Sequence, residues 1–408
     1  MNCGLLGRKL GHSYSPQIHS FLGNYSYTLF EREPEDLEVF LKSGDYSGIN
    51  VTIPYKKTVI PYLQELSPVA QKLGAVNTIV RRADGTLYGH NTDYFGFASM
   101  VKRSGLDVLG KKILILGSGG ASNTAAAVLD ELGAQVIVIS RSGENNYSNL
   151  NTHSDAAIIV NATPVGMYPD NAHSPVDLDL FPCLEGVLDL IYNPARTRLL
   201  QDAQKRGILH QNGLWMLVAQ AKEAAELFTG TPLSDCVIKE IYKMLAVQMQ
   251  NIVLIGMPGC GKSTVGKLLA NKTGRKFADA DELIISLAGK PIPEIFADDG
   301  EDTFRQWETE ALDQLSKRSG LVIATGGGCV TRQRNHSLLH QNGMVFWLDR
   351  ELDSLPTDGR PLSQSMRVKD MYEVRKPMYE SFADHRVDNN GNLVNTVDSI
   401  ISLLEDTL

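Results

Sequence analysis

Residues 256–263 read GMPGCGKS and fill every position of the pattern G-x-x-x-x-G-K-[ST]. An apolar run, Ile252–Ile255, precedes this loop, and a helical pattern, Val265–Leu269, follows it. In such a strand–loop–helix unit, glycines let backbone N–H groups close around phosphate oxygens, and the helix start adds its positive end. Lys262 then reaches the terminal phosphates, and Ser263 ligates Mg²⁺. The loop predicts the use of a nucleoside triphosphate; the alternative is a glycine-rich turn that only caps a helix.

Residues 117–121 read GSGGA and form a second glycine loop, between the apolar strand pattern Lys112–Leu116 and a helical pattern. The loop lies in a βαβ unit of about thirty residues, as dinucleotide binding requires, although Ser122 replaces the third glycine of the fingerprint. The next strand ends at Arg141, where NAD-binding units usually have an acidic residue. Arginine suits the 2′-phosphate of NADP through a charge-assisted contact; a solvated surface arginine is the alternative. The predicted cofactor contacts are Gly117, Gly119, Gly120, Ala121, Ser140 and Arg141.

Strand patterns alternate with helical patterns along the whole chain, which predicts an α/β fold with parallel sheets. A helical stretch, Leu233–Gln250, runs almost directly into the strand before the phosphate loop, so a domain boundary is expected near residue 249. Further strands are predicted at 48–53, 112–116, 135–140, 156–161, 186–190, 321–324 and 344–348. Further helices are predicted at 58–66, 94–103, 123–132, 197–206 and 216–228.

The composition is that of an ordinary globular protein, with 43% hydrophobic and 21% charged residues. A length of 408 residues predicts about two to three domains. The net charge of −8, with no basic face, argues against nucleic acid and anionic membranes as partners. Five cysteines without C-x-x-C spacing, and the absence of a signal-peptide or membrane-helix pattern, predict a reduced, cytoplasmic protein. Whether the protein is a homo-oligomer stays open.

Seven segments of the first part of the chain are similar, in the same order, to the substrate- and cofactor-binding segments of shikimate dehydrogenase. They are GHSYSPQIHS (11–20), GINVTIPYKK (48–57), GAVNT (74–78), GHNTDYFGF (89–97), NATPVGM (161–167), LIYNP (190–194) and NGLWMLVAQA (212–221). The resemblance implies a substrate domain at 1–97 and 214–248, with a Rossmann-like NADP domain at 98–213. It implies catalytic roles for Lys56 and Asp93. The implied substrate contacts are Ser13, Ser15, Thr52, Asn77, Asp93, Tyr192 and Gln220, and Gly213 is an implied cofactor contact.

The residue types agree with the chemistry that this resemblance implies. Hydride addition to a ketone creates an alkoxide that needs a proton, and an ammonium beside a carboxylate can supply it. Taken alone, Lys56 would be interpreted as a surface lysine and Asp93 as the N-cap of the helix that follows. Ser15 followed by Pro16 is likewise an ordinary helix start.

Five segments after the phosphate loop are similar to shikimate kinase, over about residues 250–408. They are FADADELI (277–284), GEDTFRQWE (300–308), ATGGGCV (324–330), DGRPL (358–362) and RKPMY (375–379). The resemblance implies a P-loop kinase domain at 249–408. The implied ATP contacts are Gly259, Gly261, Lys262, Ser263, Thr264 and the lid residue Arg360; Lys262 and Arg360 are the implied catalytic residues, and Ser263 and Asp279 the Mg²⁺ ligands. The implied shikimate contacts are Asp281, Arg305, Gly326, Gly327, Gly328 and Arg375.

Arginines suit both a carboxylate and a migrating phosphoryl group, because the guanidinium fork matches each of them. Taken one at a time, each arginine is an ordinary solvated charge, and the run of three glycines is an ordinary turn after a strand.

Two segments depart from the patterns of these families. After the position of Arg141, the dehydrogenase family usually continues with a helix before the next strand. The segment SGENNYSNLNTHSD is instead short and rich in turn residues, so we expect part of the adenosine-side wall to be missing. The kinase lid at 349–360 is several residues short, and no arginine in 352–357 replaces the one usually near the adenine. We therefore expect a raised KM for ATP and weak discrimination among purine nucleotides.

Together these patterns predict a bifunctional enzyme of aromatic amino acid biosynthesis. Its first half would reduce 3-dehydroshikimate with NADPH, and its second half would phosphorylate shikimate with MgATP. One alternative is a quinate dehydrogenase joined to a kinase for another small polyol acid. Another is a quinate- or shikimate-responsive sensor that has lost catalysis, which the presence of Lys56, Asp93, Lys262 and Asp279 disfavours.

Overall fold

A computed structural model of the chain describes residues 1–11, 13–355 and 368–406. The chain divides into two compact units. The first unit comprises Met1–Gly166, Ala172–Tyr192 and Asp202–Lys243, and the second comprises Met167–Asn171, Asn193–Gln201 and Met244–Leu408. The three sequence-based domains, with their boundaries near 97, 213 and 248, stay predictions.

The first sheet of the first unit is mixed, with strand order β2-β1-β3-β5-β6-β4. β1 pairs parallel with β2 and β3, whereas β5 pairs antiparallel with β3 and β6. Its core side chains include Leu6, Ile49 and Ile79, none of which is exposed. The strands are β1 (Asn2–Gly7), β2 (Ser26–Glu31), β3 (Gly48–Val51), β4 (Glu65–Leu66), β5 (Thr78–Arg81) and β6 (Leu87–His90).

The second sheet of the first unit is wholly parallel, with strand order β11-β10-β9-β7-β8. Its central strands are continuous apolar runs, such as the fully buried Ile113–Leu116, because helices cover parallel sheets on both faces. The strands are β7 (Lys112–Leu116), β8 (Gln135–Ile139), β9 (Ile158–Asn161), β10 (Gly186–Asp189) and β11 (Leu209–Gln211).

Helices that begin beside the two sheets carry several of the predicted site residues. Ser15 is the first residue of α1, Asp93 is the first residue of α4, and Gln220 lies in α7, which packs along α4. Helices up to residue 249 are α1 (Ser15–Leu22), α2 (Leu37–Ser43), α3 (Pro68–Leu73), α4 (Asp93–Ser104), α5 (Gly120–Glu131), α6 (Arg198–Lys205), α7 (Leu214–Thr229) and α8 (Cys236–Met249).

The sheet of the second unit is also parallel, with strand order β13-β14-β12-β15-β16. The strand before the phosphate loop, β12, is central, so the loop leaves the sheet between the carboxyl ends of β14 and β15. The strands are β12 (Asn251–Ile255), β13 (Lys276–Asp279), β14 (Leu321–Ala324), β15 (Gly343–Asp349) and β16 (His385–Asp388). The helices are α9 (Lys262–Thr273), α10 (Ala280–Ala288), α11 (Ile292–Asp298), α12 (Gly300–Ser316), α13 (Gln333–His340), α14 (Val368–Phe382) and α15 (Leu393–Asp406).

The predicted α/β fold with parallel sheets is confirmed, with two differences. The antiparallel pairings of β5 were not predicted. The helix predicted at 58–66 is wrong: the chain forms turns, a 3₁₀ helix at Ile60–Tyr62 and β4. Pro61 removes a backbone donor from that segment, and Gln64 N instead donates to Leu87 O at 3.0 Å.

The segment after β8 contains only the 3₁₀ helix Leu150–His153, which confirms that the usual helix is missing there. Five other strand predictions at 48–53, 135–140, 156–161, 186–190 and 344–348 differ from the observed bounds by one or two residues at an end. Within the described residues, no helix is long and apolar enough to cross a membrane.

Candidate active sites

A cavity of about 300 Å³ in the first unit gathers the predicted substrate residues. Its polar side chains come from β3, from the loops after β1, β3 and β10, from the residue before β5, from the start of α4 and from the middle of α7. All seven predicted substrate contacts line this cavity, namely Ser13, Ser15, Thr52, Asn77, Asp93, Tyr192 and Gln220. Lys56 lines it as well. Segments far apart in the sequence therefore converge on one pocket.

Lys56 and Asp93 form an ion pair inside this cavity. Lys56 Nζ donates to Asp93 Oδ2 at 2.6 Å, and the two side chains are 31% and 18% exposed. The start of α4 is fixed separately, because Asp93 N donates to Asn91 Oδ1 at 3.1 Å. Asp93 is thus the first residue of the helix rather than its cap, and its carboxylate is directed to the lysine.

A buried set of amides and hydroxyls fixes the floor of the cavity. Asn77 Oδ1 accepts from Thr92 N at 2.7 Å, and Thr92 Oγ1 lies 3.3 Å from Gln220 Oε1. Thr78 Oγ1 accepts from Asn50 Nδ2 at 3.1 Å and contacts Thr92 Oγ1 at 3.3 Å. These bonds link side chains from β3, β5, α4 and α7, so the cavity polar groups are positioned before any ligand binds.

Tyr27 extends the same network from β2 without lining the cavity. Its hydroxyl donates to Asn50 Oδ1 at 2.7 Å. Burial raises the pKa of Tyr27 well above its usual range, so the hydroxyl stays protonated as a donor. His19 stacks on the Tyr27 ring, with ring centroids 4.0 Å apart. Tyr27 therefore positions Asn50, which lines the cavity, without lining the cavity itself.

The second glycine loop has the backbone geometry that a close ligand approach requires. Gly117 has a φ of +105°, and a Cβ on it would lie 3.0 Å from Ala162 O. A Cβ on Gly119 or on Gly120 would meet nothing within 4 Å, which leaves space at the start of α5. Ser122, in place of the third glycine, donates to Gly117 O at 2.6 Å and stabilises the turn.

The other predicted cofactor residues are Ala121, at the end of this loop, and residues of two further segments. Ala121 and Gly213 line the cavity that holds Lys56. Glycine is required at 213, since a Cβ there would lie 2.1 Å from Leu190 O. Ser140 and Arg141 follow β8, the neighbour of β7. Arg141 is exposed and forms no hydrogen bond or ion pair with any described residue.

A larger cavity, of about 1100 Å³, lies in the second unit. It gathers the phosphate loop, the loops after β13 and β14, and side chains of α12 and α14. Every predicted residue of this site that the structure describes lines it, namely Gly259, Gly261, Lys262, Ser263, Thr264, Asp279, Asp281, Arg305, Gly326, Gly327, Gly328 and Arg375. Arg360, with the rest of DGRPL, lies outside the described residues.

The phosphate loop is closed around its own lysine. Lys262 is 8% exposed, and its Nζ donates to Gly256 O at 2.9 Å and to Met257 O at 3.0 Å. Gly256 and Gly261 have φ angles of +143° and +98°, which side chains other than glycine rarely adopt. The backbone conformation of the loop therefore requires glycine at 256 and 261.

Ser263 and Asp279 meet beside this loop. Ser263 Oγ donates to Asp279 Oδ2 at 2.7 Å, while Asp279 Oδ1 accepts from Asp281 N at 3.0 Å and caps α10. One hydroxyl and one carboxylate next to a phosphate site suit Mg²⁺, which takes few protein ligands and completes its shell with phosphate oxygens and water. The residues present therefore fit this ion.

The glycine run after β14 allows charged side chains to approach the backbone. A Cβ on Gly328 would lie 2.2 Å from the Arg305 guanidinium, and one on Gly326 would lie 2.5 Å from Glu308 Oε1. Arg375 Nη1 donates to Gly327 O at 3.3 Å. The run is thus more than a turn, because larger residues would collide with the arginine and the carboxylate.

Glu308 is a site residue to which the sequence patterns assigned no role. It is fully buried, and its Oε2 accepts from Arg305 Nη1 at 2.8 Å, whereas Oε1 has no hydrogen-bond partner among the described residues. Burial raises the pKa of the Glu308 carboxyl, although Arg305 acts in the opposite direction. The i, i+3 spacing from Arg305 was the available sequence signal. Asn50, within GINVT, was missed in the same way.

Comparison with known proteins agrees with both pockets. Residues 5–79 match the family model of the shikimate dehydrogenase substrate binding domain. A shikimate dehydrogenase (NADP(+)) of Clostridium perfringens is 35% identical over 264 residues, which are 59% of this chain and 97% of that protein. The chain belongs to the shikimate dehydrogenase family. Residues 258–405 match the family model of shikimate kinase. The chain is therefore an enzyme with a shikimate dehydrogenase part and a shikimate kinase part.

Solved structures similar to this chain cover its dehydrogenase part. Shikimate dehydrogenase 1 of Peptoclostridium difficile is 40% identical, with a TM-score of 0.55, over 60% of this chain and 97% of that one. A shikimate 5-dehydrogenase of Thermus thermophilus, crystallised with NADP(H) and shikimate, is 33% identical, with a TM-score of 0.55, over 60% of this chain and 99% of that one. The dehydrogenase part is thus present over nearly the full length of its relatives.

Proposed function

We propose that the chain reduces 3-dehydroshikimate to shikimate with NADPH and then phosphorylates the 3-hydroxyl of shikimate with MgATP. The observation that supports this most directly is the 2.6 Å contact between Lys56 Nζ and Asp93 Oδ2 in the dehydrogenase pocket. The kinase pocket supports the second step, because it combines a phosphate loop with two arginines suited to a carboxylate. The product of the first reaction is the substrate of the second, so both pockets would recognise the same acid.

In the reduction, the residues of the first pocket hold the ketone and supply a proton. Bound NADPH supplies the hydride. Hydride addition to the carbonyl carbon leaves negative charge on the carbonyl oxygen, and Lys56 Nζ donates a proton to that oxygen to complete the alcohol. Asp93 accepts a hydrogen bond from the same nitrogen and so orients the ammonium. Ser13 and Ser15 bind the substrate carboxylate, and Thr52, Asn77, Tyr192 and Gln220 bind the carboxylate or the ring hydroxyls.

In the phosphorylation, the residues of the second pocket align the two substrates. Bound MgATP supplies the phosphoryl group, with Ser263 and Asp279 as the protein ligands of the ion. Arg305 and Arg375 hold the shikimate carboxylate, and Asp281 accepts a hydrogen bond from the attacking hydroxyl. Lys262 stabilises the charge that develops on the migrating phosphoryl group. The resemblance to shikimate kinase implies these roles, and the presence of all of these residues in one pocket lining supports them.

A single incubation tests this proposal. Purified chain with 3-dehydroshikimate, NADPH and MgATP should convert the acid to shikimate 3-phosphate, detected by mass. Omission of ATP should stop the reaction at shikimate. Quinate with NADP⁺ serves as the control for the quinate alternative, and a preference for quinate would contradict the proposal. Binding of the acids without turnover would support the sensor alternative. We place the chain in the cytoplasm, which supplies NADPH and ATP.

Replacing Tyr27 with phenylalanine should raise the KM for 3-dehydroshikimate by roughly tenfold and leave kcat nearly unchanged. The substitution removes the donor to Asn50 Oδ1, so this pocket residue of β3 loses its support. Initial rates of NADPH oxidation over a range of substrate concentrations measure both constants.

The matched control for this variant is Tyr25→Phe. The Tyr25 hydroxyl contacts His19 Nδ1 at 2.7 Å, and His19 does not line the pocket. Tyr25→Phe should therefore keep the wild-type KM. If both variants had the same KM, the tyrosines would serve the fold alone, and Tyr27 would have no role in positioning the pocket.

Replacing Arg141 with alanine should weaken NADPH binding by roughly 10–100-fold and change NADH binding little. A charge-assisted contact with a phosphate contributes about 1.5–3 kcal/mol, and NADH lacks the 2′-phosphate. Arg141 is exposed and has no ion-pair partner among the described residues, so the guanidinium is available to a ligand. KM values for both cofactors measure the effect, and equal changes would contradict the assignment. The missing helix after β8 leads us to expect a modest overall NADP preference.

A further inference from the structure

Arg350 is a cation of the kinase pocket to which neither the sequence patterns nor the comparisons assign a role. It follows β15 directly and lines the cavity together with the phosphate loop. It is half-buried and forms no hydrogen bond or ion pair with any residue that the structure describes. By contrast, Arg305 of α12, which also lines the pocket, forms ion pairs with Glu301 and Glu308. Among the residues that the structure describes, none pairs with the Arg350 guanidinium, which leaves this charge for a ligand.

The sheet order separates Arg350 from the acid-binding end of the pocket. Asp281 and the glycine run follow β13 and β14, on one side of the central β12. Arg350 follows β15 on the other side, and its Nη1 lies 3.8 Å from the point that a Cβ on Gly261 would occupy. Gly261 immediately precedes Lys262 in the phosphate loop. The guanidinium is thus beside the backbone that receives phosphate, and away from the shikimate contacts.

Hydrogen bonds fix the loops around Arg350, and the adjacent acidic residue does not pair with its guanidinium. Asn389 Nδ2 donates to Cys260 O at 2.6 Å, and Glu351 N donates to Asn390 Oδ1 at 2.7 Å, so the loops after β15 and β16 are tied to the phosphate loop and to each other. The neighbouring Asp349 is already engaged by Arg386. The nearest acidic residue of β15 therefore does not compete for Arg350.

We propose that Arg350 binds the nucleotide, with its guanidinium paired to the phosphates that the loop Gly256–Ser263 holds. The assignment rests on the proposed kinase function. The expectation of weak ATP binding rested on the short lid and on the lack of an arginine in 352–357, and it did not include Arg350, which stands two residues earlier at the end of a strand. Arg350 directly follows β15, and β15 pairs with β12 along its length, so the sheet holds the backbone of Arg350 next to the strand that leads into the phosphate loop.

Calorimetric titration with ADP tests the assignment. Arg350→Met removes the charge and keeps a long apolar stem, and should raise the Kd for ADP by roughly 10–100-fold. Arg350→Lys should show a smaller rise, because it keeps a point charge and loses the fork. The KM for shikimate should stay at the wild-type value in both variants. Arg334→Met, an exposed arginine of α13 outside the pocket, is the matched control and should bind ADP normally.

Two results would overturn the assignment. The first is an ADP Kd within twofold of the wild type in Arg350→Met. The second is a loss of folding in either Arg350 variant, seen as a large fall in Tm, because that would give the residue a structural role. Failure of the kinase proposal has a different signature: the wild-type chain would bind ADP and yet form no shikimate 3-phosphate. The two ideas can therefore fail separately.

Discussion

A chain with Lys56 replaced by alanine should reduce 3-dehydroshikimate about 10²–10⁴-fold more slowly, while it still phosphorylates added shikimate at the wild-type rate. The loss is that of a positioned general acid. Lys56 Nζ lies 2.6 Å from Asp93 inside the pocket, so the ammonium is placed by the fold and cannot be replaced by a mobile neighbour. The loss should appear in kcat, because the proton is transferred after the substrate has bound. NADPH oxidation under saturating substrate measures it.

The adjacent Lys57 offers the control. It is exposed and does not line the pocket, so Lys57→Ala should keep normal reductase activity. A similar loss in both variants would show that charge near the pocket mouth, rather than a positioned proton donor, supports the reaction. A folded Lys56→Ala chain that also lost kinase activity would contradict the independence of the two sites.

Strands that are buried on both faces could be predicted from the sequence almost to the residue. The predicted bounds of Lys112–Leu116 and Leu321–Ala324 match those in the structure. A short apolar run between turn residues is typical of a buried strand and is too short for most helices. The segment at 58–66 failed for a physical reason. It has helical apolar spacing, but Pro61 and its pairing with β6 decide its structure, and the pairing is a tertiary contact. The antiparallel pairings of β5 likewise involve strands of only four residues.

Most polar residues that line the pockets could be predicted from their motifs. The residues that hold these side chains in place through hydrogen bonds could not. Lys56, Asp93 and Lys262 each stand in a short pattern whose spacing is tied to the chemistry. Tyr27 acts through Asn50, and Glu308 through Arg305, and both contacts depend on how separate elements pack. Arg350 belongs to no sequence motif, and its place beside Gly261 depends on the pairing of β15 with β12.

Replacing Lys262 with alanine should lower the rate of shikimate phosphorylation by about 10²–10³-fold and leave the reductase unchanged. The lysine is nearly buried at the base of the phosphate loop, where its ammonium is held by Gly256 O and Met257 O. In a site from which water is excluded, one preorganised cation contributes strongly to the stabilisation of developing charge. The KM for shikimate should change little, since Arg305 and Arg375 belong to other helices. A coupled assay of ADP release measures both constants.

Lys267 is the matched control for this last variant. It lies in α9 as Lys262 does, but it is exposed, stands over the Phe277 ring and is outside the pocket. Lys267→Ala should therefore keep the wild-type kcat.

The ammonium of Lys262 also donates to two backbone carbonyls, so distortion of the phosphate loop is a second possible cause of the lower kcat in Lys262→Ala. Lys262→Arg separates the two causes: it keeps the charge but does not fit the same carbonyl pair, and a rate well above that of Lys262→Ala would assign the effect to charge. Equal, full activity in all three variants would show that the loop binds phosphate through its backbone alone.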